Sequence, residues 1–514
     1  MMAFPYFTWL LILGLAAVRA PAQVPANPDK FRAQYNTVAS HLDPGGDLMI
    51  VANVNGVVEQ VVDVLRGIAE LGPAARPGGN PAQAIFARLP AFVQSSGLYA
   101  VDGFGMSVVP RADGLNDFKL FLCRDPAAAK LPLWLGTIGG APKALASLDY
   151  LPADTVLARV GTGDPRQMWK LVTEAVRQVG GPDTAKSFED SLAEVNALLG
   201  TNLESVVASL DAEAFFAVQV SAAETLTVPL PGASGAEPLI IPRPSLLVGT
   251  AVRDATLLVA LQNALAGKKM PVERALFNGT ALFSVPVPAA LPIPLSPTFA
   301  IHGGMFLLGS SSNAVQAAIA AAEGKNGLRQ SPEFQKAFAG QSLAANNGLA
   351  YVSPRFSAAL AGVQSRLLAA APGGGAGLFQ HLLSGETNGF AAVVFVNERD
   401  GVAVRGTTSS SGRQMLVSLA LAPGAMMAAV AVVPSFTRSR QAAQGASCIN
   451  NLRLLDHAKE QWAVAENKNN GDTPTMKDVL QYLRRMPVCP EGGTYTIGAV
   501  GTPPTCTIPG HRLP

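Results

Sequence analysis

The sequence predicts an α+β protein made of repeated antiparallel-sheet/helix lobes, followed by a long apolar helix and a small disulfide-closed head. Three observations predict it. A short phrase (a Leu, a turn-like spacer, then an apolar residue opening a strand) occurs at three places, each time ahead of a helical pattern. The segment between the second and third copies reads strand, helix, strand, strand, helix, an order suited to helices packed on an antiparallel sheet rather than to a doubly wound parallel one. Finally, Met415 to Pro434 is a run of twenty residues without a charge that continues into an amphipathic pattern.

Composition bounds the rest. At 514 residues the chain can hold several domains and a substantial core. It is 49% hydrophobic and 14% charged, with a net charge of +2, whereas soluble proteins carry roughly 25% charged residues. Extended disorder and a basic nucleic-acid surface are therefore not expected, and nucleic acid is excluded as a partner.

Residues 1–22 read as a signal peptide. The apolar run from Phe7 to Val18 is too short to span a bilayer, and Ala20-Pro21-Ala22 offers a small-residue cleavage pattern. Pro21 disfavours cutting after Ala20, which places cleavage after Ala22. The stretch ahead of the run has no Lys or Arg, so an uncleaved anchor is the alternative. Either way the expected location is the cell envelope, at the periplasm or outer surface.

A first α+β lobe is expected over 23–140, and two further repeat-related lobes over 141–410. The phrase reads Leu42 to Leu48, Leu151 to Val156 and Leu343 to Leu349, with helical patterns over Val57 to Leu71, Pro165 to Val179 and Pro354 to Ala369. The unequal intervals exclude a solenoid. Ser245 to Val252 is a strand, and Asp254 can cap the helix after it by accepting from free first-turn N–H groups. Thr280 to Val287 and Thr298 to Leu308 are strands, the second split into a hairpin by Gly303-Gly304. Ser312 or Asn313 caps an Ala-rich helix ending at Gly324, and Ser331-Pro332-Glu333 opens another. Val228 to Pro244, Pro286 to Pro297 and Pro372 to Gly377 are Pro- or Gly-rich excursions. A hairpin around Glu398-Arg399-Asp400-Gly401 closes the region.

Residues 411–446 hold the apolar helix and its basic flank, and 447–514 the head. Thr473 or Thr475 starts a short helix there. Cys489 and Cys506 bracket a segment that reads as a hairpin, and a disulfide between them would stabilise so small a head by roughly 3 kcal/mol. Export permits such a bond. A zinc site is the competing reading, against which stands the lack of any C-x2-C pair. Cys123, in KLFLC, reads as a buried strand thiol.

Two resemblances follow from these residues. The phrase in its LPADT form, with residues of about 140–410, weakly resembles an exported bacterial family of unknown function, which implies a β-rich envelope domain and no particular activity. The last hundred or so residues resemble the type IV pilin and type II secretion pseudopilin family. That resemblance rests on the apolar helix, AVAVVPSFTRSRQAAQ with Pro434, the amphipathic CINNLRLLDHAKEQWAVAENKNN, and the ending CPEGGTYTIGAVGTPPTC. It implies a pilin-like helix seated in a membrane or fibre core and carrying a small head. The partners it implies are the membrane and other envelope or secretion-system proteins.

Chemistry is not legible. His41, His302, His381, His457 and His511 lack metal spacing, and no H-E-x-x-H, phosphate-binding loop or G-x-S-x-G occurs. Gly103-Phe104-Gly105 is a fragment of a dinucleotide fingerprint and reads better as a strand bend. His457, beside Lys459 and Glu460, reads as part of a solvated helix face. Trp462 is a partner anchor or, on the plainer reading, core. No catalytic, cofactor-binding or metal-ligating residue is assigned, and no cofactor. The expectation is a non-enzymatic envelope protein with a pseudopilin-like C-terminal module, acting in secretion or surface assembly. The alternative is a periplasmic carrier or binding module for an apolar or peptide ligand.

Overall fold

The computed structural model describes residues 28–70, 81–228, 239–287, 295–359, 361–362, 389–415, 445, 447–483, 486–490, 492–508 and 510–513. The chain divides into two compact units, Met1–Ala420 and Leu421–Pro514. The expected signal peptide at 1–22 lies outside the described residues, as does all of the apolar run except Met415.

The first unit is organised by one 13-stranded sheet in the order β1-β2-β3-β13-β12-β11-β4-β5-β6-β10-β9-β8-β7. Its strands are β1 Leu48–Asn53, β2 Val101–Pro110, β3 Asn116–Arg124, β4 Thr155–Thr162, β5 Leu210–Val228, β6 Leu239–Val252, β7 Glu273–Phe277, β8 Thr280–Ser284, β9 Thr298–His302, β10 Met305–Gly309, β11 Gly348–Val352, β12 Ala391–Glu398 and β13 Gly401–Thr408. Every neighbouring pair is antiparallel.

The three sequence phrases open β1, β4 and β11. Each opening strand begins a run of three that are consecutive in the chain and adjacent in the sheet: β1-β2-β3, β4-β5-β6 and β11-β12-β13. The phrase works because both of its apolar positions reach a core. Leu42 and Leu48 are buried, as are Leu151 and Val156; Leu349 is buried and Leu343 packs against the same cluster. The third run lies between the other two in reversed order, so β11 meets β4 and β13 meets β3.

Helices cover both faces. We label α1 Pro28–Ser40, α2 Val57–Glu70, α3 Pro81–Ser96, α4 Pro132–Ile138, α5 Pro165–Ala175, α6 Gly181–Leu199, α7 Leu203–Ser209, α8 Thr256–Gly267, α9 Ser312–Ala322 and α10 Pro332–Ala337. On β4 the alternation of a half-covered strand puts Val156, Ala158 and Val160 into the core. There Ala158 and Val160 join Phe215, Ala217 and Leu247 with Val315, Ala318 and Ile319 of α9 and Phe334 of α10. Gly103 and Gly105 of β2 lie under α1, where a Cβ on Gly105 would sit 2.3 Å from Val38 Cγ1. The Gly-Phe-Gly fragment is thus a helix-docking site, with Phe104 in a different cluster of the core.

Local signals account for most joints. Asp254 accepts from the Thr256 N–H at 2.8 Å at the start of α8. Ser311, one residue before the expected cap, accepts from Ala314 at the start of α9. Gly303 and Gly304 have φ of 55° and 77° and close the β9–β10 hairpin. Asn278 and Gly279 have φ of 46° and 77° and join β7 to β8. Two consecutive left-handed residues are what a tight hairpin turn requires.

In the second unit a helix over 447–465, here α11, leads into a small head. α12 is Met476–Leu480, and β14 Tyr495–Thr496 pairs with β15 Thr505–Cys506. Thr475 and Asp478 form a reciprocal capping box on α12.

Two expectations are corrected. No helix among the described residues is long and apolar enough to cross a membrane. The predicted membrane-spanning helix falls on Met415 to Pro434, which, apart from Met415, lies outside the described residues. Nor is the head disulfide-closed. Cys489 and Cys506 form no disulfide: their sulfurs lie 3.8 Å apart, against about 2.05 Å for a bond. The physical reason is that the loop and β15 meet as part of a larger cluster rather than as a pair.

Candidate functional site

The head is built on α11, one face of which reads Cys448, Leu452, Leu455, Lys459 and Trp462, spaced by four and three residues as an inward helical stripe must be. All five are buried. Sequence pattern places Lys459 with the solvated residues, but its side chain is 1% exposed. Its ammonium pairs with Asp456 at 2.9 Å and donates to the carbonyls of Ile497 and Thr502, tying the β14–β15 connection to the helix. The aliphatic stem is long enough to cross the core and present the charge to acceptors.

At the start of α11 four side chains converge. Cys448 comes from the helix, Cys489 from the loop after α12, Cys506 from β15, and His511 from the tail, which is returned by the Thr505–Arg512 bridge. The three sulfurs and a ring nitrogen all lie within 4.8 Å of one another. Cys489 Sγ is 3.8 Å from Cys506 Sγ and 3.7 Å from His511 Nδ1. Cys448, Cys489 and His511 are buried, and Cys506 is half-buried. The Tyr495 hydroxyl donates to Cys448 Sγ at 3.4 Å and itself accepts from the Asn451 amide at 3.1 Å. Burial pushes the Cys448 thiol up to about 12 and raises the Tyr495 phenol as well. Such a cluster can hold a soft divalent cation through thiolates and imidazole.

Of the residues singled out from sequence, Cys489 and Cys506 belong to this cluster. Trp462 does not: it is 8% exposed, with the Lys468 ammonium 5.7 Å from its ring centroid. His457 is exposed, 3.8 Å from Glu460. Cys448 and His511 were missed. They lie 41 residues before Cys489 and 22 after it, and no short spacing pattern links them. The available signal was compositional, three cysteines and two histidines within the last 67 residues.

A second convergence, His41 with Glu398 and Asp400 in the first unit, has a different character. His41 stacks on Phe121 with ring centroids 3.7 Å apart. Its Nδ1 contacts the Thr37 carbonyl at 2.8 Å and its Nε2 meets Glu398 at 2.9 Å, while Arg405 takes the other Glu398 oxygen. Both ring nitrogens are engaged by protein, so this is an ion-pair network bracing the end of α1. Cys123 is a buried strand thiol, pushed up to about 11 by burial and then by Asp102 and Asp400.

The outer side of the head carries an open groove lined by His457, Glu460, Gln461, Val464, Ala465 and Tyr482. Val464 is 81% exposed beside it, and Leu454 on the same helix 53%. No family model matches the chain, and no curated protein or solved structure does so either.

Proposed function

We propose that this chain is a non-enzymatic envelope protein whose C-terminal head docks onto other components in secretion or surface assembly. The observation that carries the reading is the two-sided character of α11. One face is consumed by the head core, while Leu454 and Val464 present apolar side chains to solvent on the other, with the groove at Tyr482 alongside. Large apolar side chains on a small polar module are what a docking surface offers. The pilin-like pattern of the last hundred residues supports the same reading, since that family uses a small head on a helix for assembly.

The test is a photo-crosslinking residue at Val464 of the full chain in its own cells, with Leu454→Asp as the perturbed variant. Crosslinks to a secretion or fibre component in the exported fraction, lost in the variant, are expected. A cytoplasmic distribution, or crosslinks indifferent to Leu454→Asp, would overturn the proposal.

A carrier role is the second reading, and one observation favours it. On the sheet face opposite α9, Leu246, Val248 and Leu308 are 48%, 42% and 37% exposed. They continue in register through Phe216 and Val218 to Leu157 and Arg159. The Arg159 guanidinium lies 3.8 Å over the Phe395 ring and donates to the Val160 and Leu349 carbonyls, with no carboxylate paired to it among the described residues. An apolar floor with a cation at one end suits an apolar anion. A fluorescent fatty acid should bind the full chain and lose about tenfold in affinity, ~1.4 kcal/mol, with Arg159→Met; equal affinity in both proteins removes this reading.

A further inference from the structure

We infer that Cys448, Cys489, Cys506 and His511 form a structural zinc site that closes the C-terminal head. The argument is geometric. Zinc bonds sulfur at about 2.3 Å and imidazole nitrogen at about 2.0–2.1 Å, so a tetrahedral site has sulfur–sulfur edges of roughly 3.8 Å and sulfur–nitrogen edges of roughly 3.6 Å. The Cys489–Cys506 edge is 3.8 Å and the Cys489–His511 edge 3.7 Å. These are the distances across a coordination polyhedron, and the remaining ligand atoms lie within 4.8 Å.

The surroundings are built for the same purpose. Three of the ligands are buried, and they come from a helix, a loop and the tail. Tyr495 donates its hydroxyl to Cys448 Sγ, held by Asn451, as outer hydrogen bonds to zinc-bound sulfur do. Gly493 passes so close that a Cβ there would lie 2.6 Å from Cys506 Sγ and 3.3 Å from Cys489 Sγ. Four protein ligands leave no open position for substrate or water, which makes the site structural rather than catalytic. Zinc entry forms three Zn–S bonds and one Zn–N bond, and the three thiol protons leave to solvent; no oxidation is involved. A head this small needs such a staple, and its helix, loop and hairpin are joined at this point.

The experiment uses the full chain, purified without chelator under reducing conditions. One zinc per chain is expected by elemental mass spectrometry, and cobalt in its place should show the visible bands of a tetrahedral thiolate site. Cys123→Ala, outside the cluster, should keep the metal, whereas Cys506→Ser and His511→Ala should lose it or hold it at least tenfold more weakly. Because those variants could lose the head altogether, the unaltered chain is also titrated with a mercurial, which should release the zinc as three thiols react. A chain that takes up no zinc when zinc is supplied, an octahedral cobalt spectrum, or loss of metal in Cys123→Ala would each overturn the assignment. These outcomes do not depend on the head's docking partners.

Discussion

Glu213 accepts two hydrogen bonds from Ser147, from the backbone N–H and from the hydroxyl, each at 2.9 Å. Its other oxygen meets the Lys143 ammonium at 2.7 Å. A carboxylate on a central strand thus pins the turn that precedes β4, and with it Leu145 and Leu148 in the core. Burial works against the charged form, but the hydrogen bonds from Lys143 and Ser147 outweigh it and hold the group below its ordinary range.

The sign follows from that direction. A carboxyl depressed in the folded state contributes stability at pH values above its unfolded pKa, about 4.3, and loses it as pH falls through the lower folded value. Glu213→Gln should cost about 1–3 kcal/mol at pH 7. Between about pH 5 and pH 3, denaturant midpoints of the two proteins should converge; a constant gap would show that the charge is not what matters.

Gly105 is predicted to tolerate no side chain while α1 stays docked. With Val38 Cγ1 at 2.3 Å and Leu42 Cδ1 at 2.8 Å from the position of a Cβ, Gly105→Val should overpack the interface and cost about 1–3 kcal/mol. Hydrogen exchange over residues 28–40 should rise selectively. Unchanged protection of that helix would contradict the packing argument.

Lys459→Met should destabilise the head although it places a more apolar residue in a buried position. The substitution leaves the Ile497 and Thr502 carbonyls without their donor and the half-exposed Asp456 without its cation, a cost of about 1–3 kcal/mol for buried acceptors left unpaired. Tryptophan fluorescence of Trp462, one helical turn away, is a suitable probe of denaturation, provided that the other tryptophans are first replaced.

Thr475→Ala removes one half of the capping box on α12. A loss of about 1 kcal/mol is expected, and Asp478→Asn should reproduce part of it, since that carboxylate accepts from the Thr475 N–H at 2.8 Å. If both substitutions were silent, α12 would owe its place to Val479 packing alone.

What the sequence by itself determined is local. The Leu-turn-Leu phrase locates β1, β4 and β11, because two apolar residues a turn apart must both leave water. Gly303-Gly304 and the Glu398-to-Gly401 turn locate hairpins, and Ser331-Pro332 and Thr475 mark helix starts, because these joints depend on the φ preferences and side-chain acceptors of a few neighbours. Tertiary structure alone decided the rest. The reversed insertion of β11–β13 between the other strand runs depends on which edges meet, and no residue pattern encodes that. The burial of Lys459 depends on two carbonyls some forty residues further along the chain. The meeting of Cys448, Cys489, Cys506 and His511 is the clearest case. From sequence, Cys489 and Cys506 look like a self-contained pair, and only the return of the tail along β15 brings the histidine to a helix residue far away in the chain.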